Sequence, residues 1–270
     1  MTIGISISEI GSSSSTMVRS SNSDESFHLR ASDVHVWHAS LLLSDSLLSR
    51  LRGSIAPEER ARADRFAVED ARVRFVASRG ILRAVLSRYV NEPPGALTFT
   101  VSPHGKPALA GPGNAVDRIR FNLSHSSSSV LIAVSGSREV GIDLEQIRAD
   151  VDSLGIAEQF FAPGEFERLR RLPSPEAHRL FFTLWTSKEA YLKATGAGLS
   201  LDPDRFEVQL APDEAMARVK LLGEGREHES CLIRILSVEP GYVGAVAAEG
   251  EDWRVIYRRW PDLEAAPRHT

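Results

Sequence analysis

The hexapeptide Val140-Gly141-Ile142-Asp143-Leu144-Glu145 constrains this chain more than any other stretch. In an extended backbone successive side chains point to opposite faces, so Val140, Ile142 and Leu144 share one face and Gly141, Asp143 and Glu145 the other. The first face is made for a core. The second carries two carboxylates that raise each other's pKa unless a cation lies between them, which suits a hard divalent ion, most simply Mg²⁺. The glycine beside them admits close approach of another backbone or of a phosphate. The plainer reading of a lone D-x-E is an edge strand with a solvated polar face, so the metal reading needs support from elsewhere in the chain.

Composition narrows the classes. A net charge of -4 argues against bulk attraction to nucleic acid, and the single cysteine, Cys231, excludes an internal disulfide and a thiolate metal cluster, as suits a reducing cytoplasm. No apolar run approaches the roughly 20 residues needed to cross a bilayer. Residues 1–30 are rich in serine and poor in large apolar groups, which predicts a disordered tail.

Folded structure is expected from a strand at Val34-His35-Val36-Trp37, followed by a helix carrying Leu47, Leu48 and Leu51 and another opening at Pro57. Ala71 to Val90 keeps Phe75, Ser78, Leu82, Val85, Leu86 and Tyr89 on one helical stripe. The many arginines of these helices read mostly as a solvated face paired with nearby acids, with a minority free to line a phosphate site or a docking face for an acidic partner. Lys106, in the turn Pro103-His104-Gly105-Lys106-Pro107, has no structural reason to be there and is a candidate anion contact. The strand Ile119, Phe121, Leu123 runs into Ser124-His125-Ser126-Ser127-Ser128-Ser129, a set of small hydroxyls that suits either phosphate cradling or a serine-rich hairpin. A hairpin over this cluster is expected to bring it and the Asp143/Glu145 pair into one sheet. The lack of any G-x-S-x-G elbow argues against a serine hydrolase.

Two short helices are predicted over 155–172, broken at Pro163-Gly164, with Phe160, Phe161, Phe166 and Leu169 as core. Ser174-Pro175-Glu176 reads as a helix start with Ser174 as the capping hydroxyl, and Gly196 as its left-handed stop. Along that helix Lys188 falls inside the apolar stripe, where an ammonium needs an anionic partner or must snorkel outward. Glu189 lies at the border of the stripe and Lys193 one turn beyond. Together they are either an i,i+4 surface pair or the third carboxylate and a phosphate-directed lysine of an oxygen-rich Mg²⁺ site. Further strands follow, and the helix-plus-meander pattern recurs. This predicts an α+β protein of two related lobes, 31–150 and 151–270, each an antiparallel sheet with packed helices.

Five motifs in sequence carry a resemblance: Gly105-Lys106-Pro107, Phe121-Asn122-Leu123-Ser124-His125-Ser126, the D-x-E hexapeptide, Phe160-Phe161 with Glu165, and Leu184-Trp185-Thr186-Ser187-Lys188-Glu189-Ala190-Tyr191-Leu192-Lys193. Over about residues 33–260 the chain resembles the Sfp-type 4'-phosphopantetheinyl transferases. That resemblance implies a cytoplasmic, pseudo-twofold monomer with coenzyme A and Mg²⁺ in its cleft, moving the phosphopantetheine arm onto a serine of an acyl or peptidyl carrier protein and releasing adenosine 3',5'-bisphosphate. It implies Asp143, Glu145 and Glu189 as metal ligands. Lys106, Ser124 and His125 would contact the coenzyme, with Lys188 and Lys193 toward its phosphates, and Glu189 and Lys193 would be catalytic. Family members often carry lysines where this chain has Glu59 and Arg62, so Arg62 and Arg74 are carried over to the 3'-phosphate end. Two rival classes are a different Mg²⁺-dependent phosphotransferase or nuclease, and a non-catalytic module that docks carrier proteins through its arginines.

Overall fold

The computed structural model describes residues 29–111, 116, 118–196, 198, 201–223 and 231–260. The expected tail therefore lies outside the described residues except for 29 and 30, as do 261–270. In chain order the elements are β1 (Asp33–Ser40), α1 (Asp45–Ser54), α2 (Pro57–Ala63), α3 (Glu69–Val90), β2 (Thr98–Val101), β3 (Pro107–Ala110), β4 (Ile119–Ser126), β5 (Ser129–Gly136) and β6 (Val140–Gln146). They continue with α4 (Ser153–Phe160), α5 (Pro163–Arg170), α6 (Ser174–Thr195), β7 (Phe206–Leu210), β8 (Met216–Leu221), β9 (Cys231–Leu236), β10 (Tyr242–Glu249) and β11 (Arg254–Arg259).

Alternation along the strands sets the layers. Trp37, Ala39, Val130, Ile132 and Val134 point to the same side as Ala77, Ile81, Leu82, Val85 and Leu86 of α3, and together they form the core of the first lobe. From the opposite faces of the same strands, Val34, Val36, Leu131 and Ala133 meet Val140, Ile142 and Leu144 of β6 and Val246 and Ala248 of β10. Val243, Ala245 and Ala247 then face Leu184, Ala190, Tyr191 and Ala194 of α6. The result is a helix layer, two sheets and a second helix layer, an α+β fold with largely antiparallel sheets and one 22-residue helix on each outer side.

The order of strands departs from the sequence reading. The first sheet runs β11-β1-β5-β4 and the second β6-β10-β9-β8-β7, with β2-β3 a separate hairpin. The Ser126↔Ser129 hairpin forms, but β6 does not extend its sheet. Instead β6 pairs with β10, because its apolar face covers the outside of β1 and β5 rather than lying beside them. Strands are exchanged in return, since β11 pairs in parallel with β1. The sheets thus do not follow a division of the chain at residue 150.

Three local expectations also change. Pro173, not Ser174, stands at the N-cap of α6 and no side chain caps it, whereas Gly196 closes the helix at φ 67° as expected. Phe160 is 44% exposed at the edge of Trp185 rather than in the core. Arg83, far from solvated, is 2% exposed: its guanidinium donates to Glu59 Oε2 at 2.6 Å and to the carbonyls of Pro94 and Leu97, both at 2.8 Å. With Arg79 also on Glu59, the pair ties α3 to the start of α2.

A buried histidine gives the first lobe a pH dependence. Trp37 Nε1 donates to the Tyr89 hydroxyl at 2.8 Å, which stands 2.7 Å from His35 Nδ1. Burial, then the Arg258 charge, lower the His35 pKa to about 4 against an opposing pull from Asp33. A folded-state pKa below the unfolded one means that stability is intact above about pH 6.5 and lost as pH falls through the folded value. Wild type is therefore expected to lose roughly 3 kcal/mol between pH 7 and pH 4 that a His35→Gln variant does not lose. Urea unfolding of both proteins at the two pH values checks it; a constant difference between them contradicts the assignment.

Candidate active site

The site is made where α6 crosses β6. A Cβ on Gly141 would lie 2.1 Å from Ala190 O and 2.3 Å from Ala194 N, so the glycine is there to admit the helix backbone itself. That contact sets Glu189 and Lys193, which flank it on α6, against the carboxylate face of β6. Asp143 is buried. Its Oδ1 accepts from Lys193 Nζ at 2.5 Å and from Ser124 Oγ at 2.9 Å. Its Oδ2 is buried with no hydrogen-bond partner. Glu145 Oε2 accepts from Ser126 Oγ at 3.0 Å.

The acids feel one another. Burial, then the Asp143 charge, hold the Glu145 carboxyl above the usual range. Glu189 is raised by burial, with Lys193 lowering it and Asp143 raising it. Three carboxylates thus share one field, and Lys193 offsets only one of their charges. An orphaned buried carboxylate oxygen is costly and asks for a cation. Among the described residues no group of three or more His, Cys, Asp or Glu stands ready as a complete metal cage. Mg²⁺ does not need one: it is commonly held by one or two carboxylates together with phosphate oxygens and water. The donor set fits an ion shared between protein and a phosphorylated substrate.

A cationic side adjoins this acidic one. His125 is lowered by desolvation and then by the charges of Arg74 on α3 and Lys193 on α6. Arg62 is exposed on α2 and lies over the Phe75 ring at 5.1 Å; among the described residues no hydrogen bond or ion pair joins it to this group.

Three of the expected coenzyme contacts have structural partners instead. Lys106 Nζ donates to Glu139 at 2.8 Å and to Ala194 O at 3.1 Å, so it does have a structural reason, at the C-terminal carbonyls of α6. Ser124 Oγ donates its single hydroxyl proton to Asp143 Oδ1. Lys188 is 1% exposed, with Nζ 2.7 Å from Glu165 Oε2 and donating to Pro203 O at 2.7 Å and Phe206 O at 2.6 Å. A lysine on the core side of a helix found an internal anion, and it faces away from the acids. Sequence reasoning gave no role to Glu165 or Asn122 and read Ser126 only as one of the clustered hydroxyls, although the alternation Asn122, Ser124, Ser126 on one face of β4 was available as a signal.

Comparison with known proteins decides the family. The profile of the 4'-phosphopantetheinyl transferase superfamily matches residues 139–247, and that of the 4'-phosphopantetheinyl transferase N-terminal region matches 43–137. The chain is 42% identical to the 4'-phosphopantetheinyl transferase HetI of Nostoc over 186 residues, covering 69% of this chain and 78% of the relative. It is 32% identical to the 4'-phosphopantetheinyl transferase Sfp of Bacillus subtilis over 211 residues, covering 78% and 89%. The chain belongs to the Sfp-type 4'-phosphopantetheinyl transferases. Within this transferase the two profiles meet between β5 and β6, where the chain crosses from the first sheet to the second.

The Glu165–Lys188 pair yields a stability prediction for the transferase. Glu165→Ala leaves a buried ammonium without its counter-charge and is expected to cost about 3–5 kcal/mol, whereas the double change Glu165→Leu with Lys188→Met recovers only part of it, because the N–H groups of Ala162 and Val208 still lose their acceptor. Urea unfolding of the two variants checks this, and equal losses would show that the pair is not coupled.

Proposed function

We propose that the enzyme transfers the 4'-phosphopantetheine arm of coenzyme A to a serine hydroxyl of acyl and peptidyl carrier proteins, with Mg²⁺ held by Asp143, Glu145 and Glu189. The observation that carries this reading is the buried, unpartnered Oδ2 of Asp143 in a field of three carboxylates, beside the Arg74–His125–Lys193 side of the same site. When bound, the ion neutralises charge on the coenzyme's pyrophosphate.

The chain's own residues do the rest. Phosphoryl transfer depends on positioning and charge neutralisation more than on covalent help. Arg74 and His125 orient the coenzyme's phosphates. Glu189 takes the proton of the attacking serine. The serine oxygen bonds to the phosphorus of the phosphopantetheine, and the bond from that phosphorus to the pyrophosphate bridge oxygen breaks. Lys193, 30% exposed and able to turn from Asp143 to the phosphates, stabilises the departing adenosine 3',5'-bisphosphate. Lys106, Ser124 and Lys188 support the fold and the carboxylates in this scheme rather than the coenzyme. The same reading has the enzyme act in the cytoplasm as a monomer, on protein rather than nucleic-acid partners. Among the described residues no helix is long and apolar enough to cross a membrane.

An apo carrier protein incubated with enzyme, coenzyme A and Mg²⁺ is expected to gain the mass of one phosphopantetheine, and no gain would reject the proposal. Asp143→Ala and Glu189→Ala are each expected to slow the transfer at least about 10²-fold while circular dichroism shows an intact fold. Lys193→Ala is expected to lower kcat more than it raises KM for coenzyme A; an unchanged kcat would remove Lys193 from the chemistry.

A further inference from the structure

Where the two sheets meet, their edges are not joined by a backbone ladder. β4 closes one sheet and β6 the other, and neither pairs with its neighbour across the seam. The join is made by alternate side chains of β4. Asn122 Oδ1 accepts from Ile142 N at 2.9 Å. Ser124 Oγ donates to Asp143 Oδ1 at 2.9 Å, and Ser126 Oγ donates to Glu145 Oε2 at 3.0 Å while accepting from Gln146 N, also at 3.0 Å. The contacts rise together along both strands, so the three residues act as a comb that fixes the register of β6.

From this we infer that Ser126 is a positioning residue for Glu145, and through it for the divalent ion. The inference rests on the proposed metal role of that carboxylate. The geometry favours Ser126 over its neighbours for three reasons. Its hydroxyl is held at both ends: the Gln146 N–H fixes the oxygen and the single proton has only Glu145 to go to. Asp143 already has a second donor in Lys193, whereas Ser126 is the one side chain that hydrogen-bonds Glu145 among the contacts described. Asn122 touches only the backbone of β6. A carboxylate with one oxygen so held keeps the other free to ligate, and loss of an orienting partner of this kind commonly weakens metal binding about 10–100-fold.

Thr and Val have the same shape, both suit a strand, and differ by the hydroxyl, so Ser126→Thr and Ser126→Val isolate the hydrogen bond from packing. Mn²⁺ uptake by the full-length enzyme with coenzyme A present, followed by electron paramagnetic resonance, reads the site directly. Ser126→Val is expected to raise the Kd for Mn²⁺ about 10-fold or more, and Ser126→Thr to stay within a few-fold of wild type. A merely structural role would lower the Tm of the valine variant but leave its Mn²⁺ affinity alone. An unchanged affinity in Ser126→Val, with Asp143→Ala still abolishing uptake, overturns this inference and leaves the metal reading standing. Failure of wild type to take up Mn²⁺ overturns both.

Discussion

The contact on which this molecule turns is the passage of α6 over Gly141 with no side chain between them. A helix backbone can lie against a strand only where the strand offers a hydrogen instead of a Cβ. That closeness fixes which residues of the helix face the strand, and two of them, Glu189 and Lys193, carry charge. The acidic face of β6 is thereby met by a third acid and one ammonium in a place half closed to water. Charge accumulates there because the packing demands it.

The molecule holds two kinds of buried ion, and their contrast separates scaffold from chemistry. Lys188 and Glu165 complete each other, and both are further bonded to backbone, so nothing at that position is left over for a ligand. Glu59 with Arg79 and Arg83 is closed in the same way. Asp143 is not. One of its oxygens is doubly bonded to protein donors and the other has none, although both are removed from water. Buried polar groups are nearly always paired, and the proposed ion would supply the partner that this oxygen lacks.

Much of this was legible in the residues, and the failures have physical causes. Alternation from Val140 to Glu145 gave the two faces of β6, and helical spacing put Glu189 and Lys193 one turn apart on α6, because both depend only on local periodicity. Strand partners do not. The same alternation is satisfied whether β6 lies beside β5 or on top of it, and only the long-range core with Val34 and Leu131 decides. The partners of Lys106 and Lys188 were out of reach for a related reason: the helix carbonyl that Lys106 meets is 88 positions away, and no spacing rule points from Lys188 to the anion it needs, Glu165. The serine cluster was half understood. Its turn is an ordinary hairpin, while Ser124 and Ser126 donate to carboxylates of the opposing sheet.

The parallel pairing of β1 with β11 has a consequence for biosynthesis. Arg254 meets Asp33 across 221 intervening steps of chain. The flank of β1 therefore stays bare on the ribosome until residues 254–259 emerge, long after the strands on its other side are available. A bare strand edge invites pairing with other chains. Truncation before β11 would not yield a smaller working lobe but an adhesive one, so the nascent protein must be shielded or finished quickly.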